Sequence, residues 1–192
     1  MRSQSLRRQR AFTLVELVVV MGVMGLLMSM VLGVQRYAQS KSNRSRAEAQ
    51  IAGFTAAAEA YKADNALYPR SAETDALSSI GATGSAGYTD ANLALYLMLS
   101  GDTDLNGRAD ATEGKTDAPP VYLAFTPSQL SLAGEKVLFV RDAWGKPYGY
   151  STKRAAALDK GTDDASAGHN ITFDVWSTGG VDENEKGWIA NW

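Results

Sequence analysis

The sequence predicts an α+β chain, in which one long N-terminal α-helix packs on a small antiparallel β-sheet. Three observations carry this. Residues 12–34 are almost wholly apolar. Residues 40–64 are rich in helix-forming Ala, Glu, Gln, Arg and Lys. The second half holds short β-branched and aromatic runs separated by Gly, Pro and Asp, without βαβ alternation.

The first element is a membrane-length helix. Arg2, Arg7, Arg8 and Arg10 lie in a basic leader ahead of it. From Leu17 to Val34 no residue is charged. As a helix this run extends about 27 Å at ~1.5 Å per residue, close to the ~30 Å hydrocarbon core of a bilayer. Apolar residues occupy every face, which suits lipid or a helical bundle. One carboxylate, Glu16, stands at its start. Within hydrocarbon such a charge costs about 2.5–3.5 kcal/mol on an insertion scale, so it calls for a partner cation. A cleaved secretory signal is a poor match, because the run is too long and no Ala-x-Ala site follows Val34.

The helix is expected to continue through residues 35–64. Ile51, Phe54, Ala58 and Tyr61 recur at spacings of three and four, forming a stripe that can receive a sheet. The segment from Asp64 to Pro69 stops it. A loop with Gly81, Gly84 and Gly87 follows. A short helix is expected from Asp90 to Leu99, with Leu93, Tyr96, Leu97 and Ser100 on one side. Strands are expected at Val121–Phe125, Lys136–Val140, Pro147–Ser151 and Ile171–Trp176. Trp144, Tyr148, Tyr150, Phe173 and Trp176 read as sheet and core packing rather than as a carbohydrate platform.

Composition narrows the function. The formal net charge is −2 and no basic surface is apparent, which argues against nucleic acid as the main partner. There is no cysteine, so disulfides, thiolate metal sites and a cysteine nucleophile are excluded. The single histidine, His169, lies in a Gly-His-Asn turn and reads as a surface or capping residue. No Gly-x-Ser-x-Gly, P-loop or dinucleotide fingerprint occurs, and no enzymatic activity is expected.

One polar loop does carry chemistry. Residues 102–113 match the twelve-residue calcium-loop pattern D-x-D-x-[DN]-G-x₅-E. Calcium takes six to eight hard oxygens. Asp102, Asp104 and Asn106 supply side-chain oxygens, and Arg108 its backbone carbonyl. Asp110 acts directly or through water, Glu113 binds bidentately, and Gly107 permits the sharp turn. The following Gly114–Pro120 segment cannot form an exiting helix, so the loop would have a helix only before it. A plain polar turn region is the competing reading.

The stretch Arg10-Ala11-Phe12-Thr13-Leu14-Val15-Glu16 resembles the leader junction of type IV pilins and type II secretion pseudopilins. Tyr61–Pro69 is similar to the Asp-Asn-Gly-x-Tyr-Pro corner of major pseudopilins, with Ala66 in place of Gly. Asp142–Tyr150 is similar to their Asp-Pro-Trp-Gly-x-Pro-Tyr-x-Tyr hairpin, with Ala143 in place of Pro. Phe173–Gly180 resembles their Asp-x-x-Ser-x-Gly strand and loop.

The resemblance implies a leader at residues 1–11, a transmembrane and filament-core helix at 12–34, its continuation at 35–64, and a head at 65–192. The loop near 102–113 is then an insertion. A prepilin peptidase would cut after Ala11 and methylate the new amine of Phe12. Glu16 would pair with that amine on a neighbouring subunit during assembly, a strong interaction in low dielectric. The implied location is the bacterial inner membrane, single-pass, with the head in the periplasm. The implied partners are further copies in a homopolymer, minor pseudopilins, and an assembly platform with its ATPase. A second calcium position is implied in the last loop, with Ser177 and Asp182 as ligands. There Gly187-Trp188 stand where the family has an Asp, and a turn-rich loop is the competing reading. Two other functions fit part of the pattern: a pilin or minor pilin of a surface type IV pilus, and a membrane-anchored calcium-binding domain that does not polymerise.

Overall fold

The computed structural model describes residues 13–82, 85–181 and 185–192. The chain falls into two compact units, residues 1–42 and 43–192. The long helix α1, Leu14–Asn65, contributes to both. This is the α+β architecture that the sequence predicts.

In the first unit every described side chain from Thr13 to Met30 is exposed, including Leu14, Val15, Met21 and Met28. Among the described residues no helix is long and apolar enough to cross a membrane. The uncharged run from Leu17 ends in residues 31–34, whose side chains lie outside the described set.

In the second unit α1 presents the expected stripe. Ile51, Phe54 and Ala58 are buried, together with Ala47 and Ala57, and Tyr61 packs against them. The helix stops where the sequence indicates. Ala66 adopts φ +64°, and its N–H donates to the Lys62 carbonyl at 2.8 Å. This is a left-handed helix terminus, where glycine sits at lower cost. Tyr150 reaches across to donate its hydroxyl to the Pro69 carbonyl at 2.8 Å.

Two short helices follow. Helix α2, Ala72–Ala76, is set by a reciprocal cap between Ser71 and Thr74. Helix α3, Thr89–Ser100, ends at Gly101 in the left-handed region, φ +67°. Its buried face is Ala91, Asn92, Leu95, Tyr96, Leu99 and Ser100. Of the expected face, Tyr96 and Ser100 are buried, while Leu97 is exposed and Leu93 only partly buried. The i, i+3, i+4, i+7 row that meets the core starts one residue earlier than expected, at Asn92.

The β-structure consists of two antiparallel sheets rather than one. Strands β1, Leu130–Ala133, and β2, Lys136–Val140, form a hairpin with an irregularity between Ser131 and Leu132. Strands β3, Gly149–Ser151, β4, Asp174–Ser177, and β5, Ile189–Ala190, form the second sheet in the order β3-β4-β5. A single Arg141↔Pro147 bridge lies between the two. The buried Asn92 completes the join. Its Nδ2 donates to the carbonyls of Val140 and Tyr148 at 3.1 and 2.9 Å, and its Oδ1 accepts the Val140 N–H at 2.6 Å.

Two expected strands differ. Val121–Phe125 is not a strand, because the N–H groups of Tyr122 and Leu123 cap the Leu99 carbonyl at the end of α3. Its apolar residues lie over α1, with Tyr122 against Tyr61 and Phe125 against Phe54. The strand expected from Ile171 starts only at Asp174. The buried Asp174 carboxylate winds the preceding turn by accepting N–H groups of His169 and Asn170. A further helix, α4, Lys153–Asp159, sits between β3 and β4 in sequence.

The aromatic residues pack as expected. Tyr148, Tyr150, Phe173 and Trp176 are buried, and Trp144 packs partly against the core. Gly149 fits because it has no side chain: a Cβ there would lie 2.1 Å from the Trp176 ring.

Candidate functional site

The 102–115 loop gathers the expected oxygen donors. Gly101 turns the chain out of α3, and the Asp110 N–H returns to the Gly101 carbonyl at 2.8 Å, closing the base. Gly107 has φ +85°, and a Cβ there would meet Leu130 at 3.5 Å. The Val137 N–H donates to the Leu105 carbonyl at 2.7 Å, tying the loop to β2. A short 3₁₀ turn, Asp110–Glu113, ends at Gly114 with φ +72°. There is no exiting helix, as the sequence predicts.

Carboxylate oxygens of Asp102, Asp104 and Asp110 all lie within 4.8 Å of one another. Asp102 and Asp110 are buried, and Asp104 is exposed. Asp102 is held by the Tyr96 hydroxyl at 2.6 Å and the Gly107 N–H at 2.8 Å. Asp110 accepts the Thr103 hydroxyl at 2.5 Å. Asn106 donates to Glu113 at 2.8 Å, and its Oδ1 accepts the Arg108 N–H at 2.9 Å. Hence three of the six expected contributors, Asp102, Asp104 and Asp110, are clustered, and Asn106 and Glu113 are bonded to each other.

A cation already stands among them. The Lys115 ammonium lies 2.6 Å from Asp104, 2.9 Å from Asp110 and 3.1 Å from Glu113. These neighbours push it well above the ordinary lysine value, Asp104 most and then Asp110. In return, Lys115 holds Asp104 below the usual aspartate range. The Thr103 hydroxyl, and then Lys115, do the same for Asp110. Burial, reinforced by Asp102, pushes the Tyr96 phenol up. The donor chemistry fits a hard divalent cation, and the ammonium marks where positive charge is taken. Sequence reading missed Lys115, Thr103 and Tyr96. Only Lys115 had a readable signal, a cation two residues past the last acid.

Of the expected second calcium position, only Ser177 lies among the described residues. Ser177 is buried and donates its hydroxyl to Asp142 at 2.6 Å. The other Asp142 oxygen accepts N–H groups of Trp144 and Lys146, both at 2.9 Å. Asp182 lies outside the described residues. His169 donates its N–H to Asp174, pairs its ring with Glu185 at 2.7 Å, and stacks on Trp192 with centroids 4.1 Å apart.

At the other end, Ala11 and Phe12 lie outside the described residues. Glu16 is described. Its carboxylate accepts the Thr13 N–H at 3.0 Å and the Thr13 hydroxyl at 2.8 Å, while the Glu16 N–H meets the Thr13 hydroxyl at 3.3 Å. This is a capping box, readable as Thr-x-x-Glu before an apolar run.

Residues 6–32 match the family described as the prokaryotic N-terminal methylation motif. The chain is 39% identical over 66 residues to the type II secretion system core protein G of Pectobacterium carotovorum subsp. carotovorum. That match covers 34% of this chain and 42% of the relative. It is likewise 39% identical over 69 residues to the core protein G of Klebsiella michiganensis, covering 36% and 46% of the two chains. The chain resembles the type II secretion pseudopilins. This pseudopilin-like chain spans less than half the length of the curated relatives it matches. No solved structure matches it.

Proposed function

We propose that the chain is a structural subunit of a type II secretion-type pseudopilus, acting mechanically rather than as an enzyme. The methylation motif at residues 6–32, with Glu16 opening an apolar helix, is the observation that carries this reading. The leader is removed after Ala11, and Phe12 acquires a methylated amine. The apolar helix holds the subunit in the inner membrane with its head in the periplasm. Growth of a homopolymer, begun with minor pseudopilins and driven by an assembly platform and its ATPase, moves cargo outward. In the free subunit Thr13 supplies the donors that Glu16 needs. In the filament the amine of a neighbouring Phe12 supplies a positive charge, and a pair in low dielectric outweighs the local cap.

Mass spectrometry of protein from its native host tests processing. The expected chain starts at Phe12 and carries one added methyl group. A chain that retains residues 1–11 sinks the reading. Crosslinking in membranes tests assembly: the wild type gives ladders, and Glu16→Ala gives monomer.

The head is further read as a calcium-binding unit. Asp102, Asp104, Asn106, Asp110 and Glu113 supply side-chain oxygens, and Arg108 supplies its carbonyl. The support is the triad of clustered carboxylates with an ammonium among them. Calcium in this loop would neutralise the acids and pin α3 to β2.

A further inference from the structure

We propose that Lys115 is a tethered cation that fills the metal position in the calcium-free head and must withdraw before calcium enters. The proposal rests on the calcium reading of the 102–113 loop and concerns how that same site is regulated.

The ammonium has three donor protons. It meets three acceptors, on Asp104, Asp110 and Glu113, at 2.6, 2.9 and 3.1 Å. All three belong to the expected ligand set, so one position serves both cations. The backbone aims the side chain there. Gly114 reverses the chain at φ +72°, and the Lys115 N–H is fixed to the Asp110 carbonyl at 3.2 Å. The fourth carboxylate, Asp102, is held instead by Tyr96, Gly107 and Asn106. It therefore stays in place whichever cation is present.

The exit is open. The Lys115 side chain is 38% exposed, so the proposed withdrawal leads toward water. Calcium binding then becomes an exchange of one cation for another. The apparent affinity for calcium then falls by the fraction of time that Lys115 occupies the site.

The test uses the full chain in detergent micelles, with terbium and then calcium as probes. Tyr96, whose hydroxyl bonds Asp102, serves as the luminescence sensitiser. Lys115→Gln is expected to tighten calcium binding about tenfold or more, the effect of removing a competitor worth at least ~1.4 kcal/mol. Lys115→Arg keeps the charge and is expected to bind as weakly as the wild type. Equal affinity in the wild type and Lys115→Gln overturns the tethered-cation proposal alone. Silence in both overturns the calcium reading and this proposal with it. Acetylation of Lys115 in the wild-type chain, followed by mass spectrometry, gives an answer that needs no variant. Calcium is expected to accelerate it by releasing the amine, and an unchanged or slower rate overturns the proposal.

Discussion

Two turns of the head carry buried aspartates, and they satisfy them in opposite ways. In the 102–115 loop several carboxylates crowd together, and a cation answers them. In the 142–146 turn one carboxylate, Asp142, is answered among the described residues by two backbone N–H groups and the Ser177 hydroxyl. The difference is one of counting. A single buried carboxylate has about four acceptor sites, which neutral donors can fill. Several carboxylates within a few ångströms repel each other, and neutral donors do not cancel that charge. In the proposal above, the first arrangement exchanges its cation. The second ties its carboxylate to neutral donors.

Asp142→Ala should have the largest effect. It strands the N–H groups of Trp144 and Lys146 and the Ser177 hydroxyl, at a cost of about 3 kcal/mol or more. Thermal melting should show this loss equally with calcium and with chelator. A calcium-sensitive loss would break the contrast. Calcium added to the wild type at about a hundred times its dissociation constant should stabilise the head by ~2.7 kcal/mol. Asp104→Ala should abolish that rise and change the metal-free melt little, since Asp104 is exposed. Ser177→Ala should cost about 1 kcal/mol, again without regard to calcium. Ala66→Gly, away from both turns, should stabilise by up to ~1 kcal/mol by relieving a left-handed residue, and denaturant melts can resolve it. A shift of the opposite sign would mean that Ala66 contributes packing that outweighs the strain.

Much of this was readable in the sequence because it depends on local rules. The stripe on α1, the stop near Asn65, the calcium pattern and the absence of an exiting helix all follow from spacing and from Gly and Pro. What escaped depends on distant partners. Val121–Phe125 has strand composition, yet its N–H groups are taken by the end of α3. Strands β1 and β5 are too short to announce themselves, while the Ala-rich run of α4 was a signal passed over. In the 102–113 loop, the proposed ligand set follows from the pattern. The supports from Tyr96 and Thr103 lie at positions about which the pattern is silent. Thr13 is the exception among the misses, since its capping box with Glu16 is written within four residues.

The Asn92 amide has a wider consequence. A helix side chain reinforces the strand pairing there, bonding both Val140 and Tyr148, whose own N–H reaches the Val140 carbonyl at 3.4 Å. Hydrogen exchange at the Val140 amide should therefore report on the opening of α3, since its N–H is held by the Asn92 side chain. Asn92 thus adds a tie from α3 to the Arg141↔Pro147 bridge that joins the two sheets.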